Sequence, residues 1–197
     1  AVAHEDFYYA PDPSSQIACS IGGNIGENSG GVHSLKYGMT TNNVLGCEIV
    51  LITGEILRIG GKAPETDGYD VMGVITGSEG LLGVVTEVTV RILKKPETAR
   101  ALMVGFSEVE AAGRCVADII GAGIIPGGME MMDRDAIHAA EAFVHAGYPL
   151  DVEALLIIEL DGPKAEVDEL IDRVEKIALG CGSTSCQISN SEQERLL

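Results

Sequence analysis

The chain is 197 residues long, 46% hydrophobic, and carries a formal net charge of −17. That length allows one large domain or two small ones, and the apolar content excludes wholesale disorder. The acidic balance, with no basic stripe, argues against nucleic acid as a partner and against attraction to an anionic membrane surface. No uncharged apolar run approaches the roughly 18 residues of a membrane span, and no signal peptide opens the sequence. Five cysteines (Cys19, Cys47, Cys115, Cys181, Cys186) lack CxxC spacing and read as free thiols of a reducing cytosol, although Cys181 and Cys186 are close enough in sequence to meet. Four scattered histidines form no HxxxH or HExxH pattern, so no self-contained metal site is expected.

In chain order, residues 1–16 read as an extended lead-in ending in Ala10-Pro11-Asp12-Pro13-Ser14-Ser15, where two prolines fix the backbone and a serine can cap the next segment. Next comes Cys19-Ser20-Ile21-Gly22-Gly23-Asn24-Ile25-Gly26-Glu27-Asn28-Ser29-Gly30-Gly31, with five glycines between Gly22 and Gly31. Glycine costs backbone entropy, so a plain turn has little use for so many. Such a run suits backbone N–H groups brought against something large, flat or anionic, of which a pyrophosphate is the leading example. Residues 44–52 and 55–59 are β-rich and joined by Thr53-Gly54, a hairpin signal. A second glycine run, Thr76-Gly77-Ser78-Glu79-Gly80-Leu81-Leu82-Gly83-Val84-Val85-Thr86, leads into the alternating strand 84–93. Two such runs in one small domain imply a cofactor cradle. A Rossmann reading fails because no GxGxxG opens a helix after a strand, and a P-loop fails because Gly83 is not followed by Lys and Ser or Thr.

Lys94-Lys95-Pro96-Glu97 breaks the pattern and marks a domain boundary, giving domains 1–96 and 97–197. Beyond it, strands and helices alternate. A strand is expected over 100–106, then a helix opened by a Ser107/Glu110 capping box and running to about Ala122. A short segment at 126–132, a helix over 134–146, a strand over 153–160, a helix over 164–179 and a strand over 184–189 complete the order. That order suits a ferredoxin-like (split βαβ) layer, with the two long helices on one face of an antiparallel sheet and the other face open. The helix rows expected to be buried are Val109, Ala112, Val116 and Ile119, and Val167, Leu170, Ile171, Val174 and Ile177. The Met129–Met132 cluster reads as core filler.

Five ordered motifs carry a family resemblance: Pro11-Asp12-Pro13-Ser14-Ser15, Ser20-Ile21-Gly22-Gly23-Asn24, Asn28-Ser29-Gly30-Gly31, Tyr37-Gly38, and Gly77-Ser78-Glu79-Gly80-x-x-Gly83-Val84-Val85-Thr86. With Gly31-Val32-His33-Ser34-Leu35-Lys36-Tyr37-Gly38 and Met129-Glu130-Met131-Met132-Asp133, the chain resembles FAD-linked oxidases of the vanillyl-alcohol-oxidase type, most like their glycolate oxidase D-subunit and D-lactate dehydrogenase branch. The resemblance implies an α+β fold. Residues 1–96 would be the C-terminal part of the FAD-binding domain and 97–197 part of the substrate-side cap. It also implies an FAD-dependent enzyme that oxidises a D-2-hydroxy acid, glycolate or D-lactate, by hydride transfer to flavin. The cofactor residues it implies are Pro11, Asp12, Ser20, Gly22, Gly23, Asn24, Asn28, Ser29, Gly30, Tyr37, Gly38, Glu79, Gly80, Gly83, Val84 and Val85. No catalytic residue is assigned, since the family's paired-histidine metal motif and Glu-His pair have no counterpart here, nor does its first pyrophosphate loop. The chain therefore reads as a fragment, inactive alone, that binds FAD weakly or not at all by itself and whose glycine-rich half leaves apolar surface exposed or buried by self-association. An electron-transfer partner subunit and self-association are open, as is a cytoplasmic location held at the inner membrane through partners. The competing reading is a non-catalytic flavin-fold or interaction module with a vestigial cradle.

Overall fold

The computed structural model describes residues 2–63 and 68–195. The chain divides into two compact units, Ala1–Lys95 and Pro96–Leu197.

In the first unit the lead-in is less extended than its prolines imply. After a 3₁₀ turn at Ala3–Glu5, strand β1 (Phe7–Tyr8) pairs antiparallel with β5 (Leu93–Lys94). The first glycine run is not an open loop: Ile21–Glu27 forms helix α1. Ser20 explains why, because its hydroxyl accepts from the Gly23 N–H at 3.0 Å and so caps the first turn. Short helices α2 (Ser34–Tyr37) and α3 (Thr40–Asn43) lead into strand β2 (Val44–Val50), whose hairpin with β3 (Ile56–Gly60) turns through Thr53-Gly54 as expected. Helix α4 (Val71–Ile75), capped by Asp70, precedes strand β4 (Val84–Val90). β2 lies between β3 and β4 in a three-stranded antiparallel sheet. Ile25 of α1, Cys47 and Ile49 of β2, and Met72 and Ile75 of α4 form its small core. Apolar side chains stay exposed around it, among them Ile52, Leu81 and Val84.

The second unit holds four strands, β6 (Thr98–Phe106), β7 (Gly128–Asp133), β8 (Ala154–Gly162) and β9 (Ser183–Ile188), all antiparallel in the order β7-β8-β6-β9. Helices α5 (Val109–Gly121) and α7 (Lys164–Gly180) follow β6 and β8. This is the ferredoxin-like layer that the alternation implies. Successive strand residues face opposite sides of a sheet. Leu102, Val104, Phe106, Leu156, Ile158 and Leu160 therefore share one face, where they pack with Ala112, Cys115 and Ile119 of α5 and Val167, Ile171 and Val174 of α7.

Three expectations need correction. Ser107 does not cap α5: the N-cap is Glu108, with no side-chain hydrogen bond. The helix accordingly turns Ala111 and Cys115 inward, leaving Val109 41% exposed. The opposite sheet face is not wholly open either. Helix α6 (Arg134–Val144) places Ile137 there against Leu155 and Val152, with Met103, Met132 and Ile157 packed alongside. What remains of that face is a cleft of about 210 Å³ whose lining includes Met103, Tyr148, Ile157 and Arg195. Of the methionine cluster, Met129 and Met132 pack into cores, whereas Met131 is 48% exposed.

All five cysteines are free. Burial, with Cys181, Asp118 and Cys186 nearby, pushes the Cys115 thiol from its ordinary 9.0 to about 12. Ile158→Ala, at a fully buried position between α5 and α7, is expected to destabilise the second unit by about 2–5 kcal/mol in denaturant titrations. At pH 8 Cys115 is expected to alkylate far more slowly than exposed Cys19 in timed mass spectrometry. Because the folded-state value lies above the unfolded one, this thiol's contribution to stability is complete below pH 9 and is lost as pH rises toward 12.

Candidate functional site

The sixteen residues singled out from the sequence all lie in the first unit, and they gather in two places. At the first, α1 meets the second glycine run. At the end of α1 the carbonyls of Ile25, which the Asn28 N–H also reaches at 3.2 Å, and of Gly26 accept from the N–H groups of Gly77 and Glu79, both at 2.8 Å. The two runs are thus stitched together although some fifty residues separate them. A Cβ on Gly22 would stand 3.1 Å from the Val85 carbonyl oxygen, and one on Gly26 3.5 Å from the Gly80 nitrogen. Glu79 and Gly80 both adopt positive φ, 54° and 73°. This turn feeds Gly83, Val84 and Val85 into β4, where Val84 is 67% exposed.

Gly23 differs from these neighbours. It is exposed, inside a helix, and its absent Cβ would meet only the hydroxyl of its own cap, Ser20. Glycine costs about 1 kcal/mol against alanine at such a position, and no packing in this unit offsets that cost. One position on is Asn24. It is 7% exposed, and its side chain has no hydrogen-bond partner among the described residues.

The second place is the lobe from Asn28 to Asn43. Asn28 ends α1 in the left-handed conformation, φ 49°, and its Oδ1 accepts from the Thr41 N–H at 2.9 Å. The Ser29 carbonyl accepts from both the N–H (3.0 Å) and the hydroxyl (2.7 Å) of buried Thr40. Asp12 reaches the lobe from the lead-in, where Pro11 and Pro13 are buried. Its carboxylate engages His33 twice, at Nδ1 (2.6 Å) and at the backbone N–H (3.3 Å). A Cβ on Gly31 would lie 2.1 Å from the Asp12 carbonyl oxygen, so only glycine lets the two segments approach this closely. Gly30 abuts the Ser34 hydroxyl. The Tyr37 ring meets Tyr8 edge-on at 6.3 Å, has His33 at 6.4 Å, and lies under the Lys36 ammonium at 5.4 Å. Gly38, φ +80°, closes the lobe.

The cap changes what Ser20 does: its oxygen serves Gly23 before any ligand. Three residues outside the motifs, Thr40, Asn43 and Arg91, hold the lobe together. The signal in the sequence for the first two is a run of polar side chains, Thr40-Thr41-Asn42-Asn43, placed at the mouth of a strand.

Residues 95–196 match the model of the FAD-linked oxidase C-terminal domain, and residues 1–60 that of the FAD-binding domain. Over its whole length the chain is 55% identical to glycolate oxidase subunit GlcD of Escherichia coli K12, covering 39% of that protein. It is 42% identical to GlcD of Bacillus subtilis, covering 42% of it, and 29% identical to a D-lactate dehydrogenase of Anaerostipes hadrus, covering 40%. Among solved structures, an alkyldihydroxyacetonephosphate synthase shares the fold with TM-score 0.82 at 21% identity, over 98% of this chain and 40% of that one. The chain therefore spans about two fifths of the length of these relatives. A unit of two glycine runs stitched together, followed in the chain by a ferredoxin-like layer and matched by both models, makes this chain a member of the FAD-linked oxidases, a family whose cofactor is FAD.

Proposed function

We propose that the protein containing this chain oxidises a D-2-hydroxy acid, glycolate or D-lactate, to the 2-oxo acid. Residues 1–96 would supply part of the FAD-binding domain and residues 97–197 part of the substrate-side cap. The observation that carries the reading is the pair of glycine runs held together by the Gly77 and Glu79 N–H groups on the Ile25 and Gly26 carbonyls, with Gly23 exposed beside them. FAD, when bound, accepts the hydride from the carbon bearing the hydroxyl.

This chain's own task is to hold and orient. Gly22 and Gly23, at the start of α1, let backbone come close to the cofactor's phosphates, with Ser20 keeping the turn in place. Asn24 offers its amide to the flavin side. Asn28 has its oxygen committed to Thr41, which leaves the amide nitrogen as the donor for the flavin edge, next to Ser29 and Gly30. Pro11 and Asp12 shape the wall across from them, with Tyr37 and Gly38 closing the lobe. Glu79, Gly80 and Gly83 to Val85 serve the adenosine end through backbone N–H groups and the Glu79 carboxylate. In the second unit, the largely apolar cleft bounded by Met103, Tyr148 and Ile157 suits the exclusion of water that hydride transfer needs.

Two of the relatives are named as subunits of glycolate oxidase, which supports an electron-transfer partner subunit here. Among the described residues no helix is long and apolar enough to cross a membrane, so attachment to the inner membrane from the cytoplasm would run through such partners. The acidic net charge supports a function without nucleic acid.

In the whole protein, anaerobic addition of glycolate or D-lactate bleaches the flavin absorbance band; a bound flavin that neither acid reduces overturns the substrate class. Gly23→Val removes flavin from the purified protein while circular dichroism stays native; normal flavin content moves Gly23 out of the cradle. Gly31→Ala, facing the Asp12 carbonyl, lowers the melting temperature of the apo protein as well as its flavin content, because the clash is with the chain itself.

A further inference from the structure

We infer that Asn43, gripped by Arg91, is a positioning residue for the flavin edge, one that sets the shape of the lobe from Asn28 to Gly38. The inference rests on the flavin reading above. Asn43 is completely buried. Its Nδ2 donates to the carbonyls of Tyr37 (3.0 Å) and Met39 (2.9 Å), with the Gly38 carbonyl at 3.5 Å. Its Oδ1 accepts from Arg91 Nε (3.2 Å) and Nη2 (3.0 Å), and its backbone carbonyl accepts from the Arg91 N–H at 2.7 Å. Arg91 Nη2 also reaches the Tyr37 carbonyl at 3.4 Å.

The arrangement is specific to asparagine. Three successive carbonyl oxygens converge on one point, which demands a donor, while a guanidinium on the far side demands an acceptor. The amide presents both, a nitrogen with two N–H donors on one side and an acceptor oxygen on the other. The anchor is rigid as well, since Asn43 immediately precedes β2, Arg91 immediately follows β4, and Val44 pairs with Val90 at this end of the ladder. From that fixed end the clasp holds residues 37–39. Thr40 and Thr41, through Ser29 and Asn28, hold the other side of the lobe. Together they fix where Asn28, Ser29, Gly30 and Tyr37 stand, and none of the clasp residues needs to touch the cofactor.

Asn43→Asp is the discriminating variant, because it keeps an acceptor for Arg91 and turns a carboxylate toward the three carbonyls. In the whole protein it weakens FAD binding by about tenfold or more and shifts the visible flavin spectrum at saturating FAD. In the apo protein, amide hydrogen exchange accelerates across 29–43 while the amides pairing β2 with β3 and β4 keep their protection. Arg91→Lys, which retains the charge, recovers most of the affinity that Arg91→Ala loses. FAD affinity and spectrum unchanged in Asn43→Asp overturn the proposal. So does exchange rising equally along β2, β3 and β4, which marks a role in folding alone. A wild-type protein that takes up no FAD defeats the flavin reading and the inference resting on it, even where the exchange pattern still shows the clasp holding the lobe.

Discussion

Two hydrogen bonds decide the shape of the first unit: the carbonyls of Ile25 and Gly26 accept from the N–H groups of Gly77 and Glu79. Helix ends are where backbone groups run short of internal partners, and here a segment fifty residues away supplies donors. That requires α1 to lie close against the turn before β4. That is why Gly22 and Gly26 face Val85 and Gly80, and why the turn uses positive φ at Glu79 and Gly80. The glycines therefore fall into two groups. Gly22 and Gly26 are close-packing residues between helix and turn, and Gly23 lies outside that contact, on the exposed side of α1.

The second unit obeys a simpler constraint. Its sheet is apolar on both faces, and the two long helices cover only one of them. α5 and α7 bury the face bearing Leu102, Val104 and Ile158, while α6 covers part of the other with Ile137. The uncovered remainder is the cleft, closed at one end by Arg195, whose guanidinium bonds to Glu159 at 2.6 Å and to Glu192. There a part-buried cation is held between two carboxylates by charge-assisted hydrogen bonds.

Periodicity made the second unit legible. Strand and helix patterns with clear apolar rows predicted the antiparallel sheet and the shared face of α5 and α7. The misplaced cap at Ser107 shows the limit of motif reading: Ser and Glu at the right spacing do not form a box when the backbone enters the helix one residue later. In the first unit the glycines concealed a helix, because intrinsic propensity opposes Ile21–Glu27 and only the Ser20 cap with its contacts to Val85 and Gly80 explains it. The cofactor motifs were legible as a resemblance, but the lobe's internal support was not. Thr40, Asn43 and Arg91 act through hydrogen bonds between residues up to 54 positions apart, and no local pattern encodes such pairings.

The place of β6 in its sheet has a consequence for synthesis. β6 is the first strand of its unit to be made, yet both its neighbours, β8 and β9, come later, with β9 ending at Ile188. On a ribosome this central strand must wait until more than fifty further residues have emerged before β8 can pair along its full length, and more than eighty before β9 can pair with Leu102–Phe106. Non-local pairing of this kind is slow and open to association with other chains in the interval. Helix α5, which forms from local contacts directly behind β6, is the one element available to shield Leu102, Val104 and Phe106 during that wait.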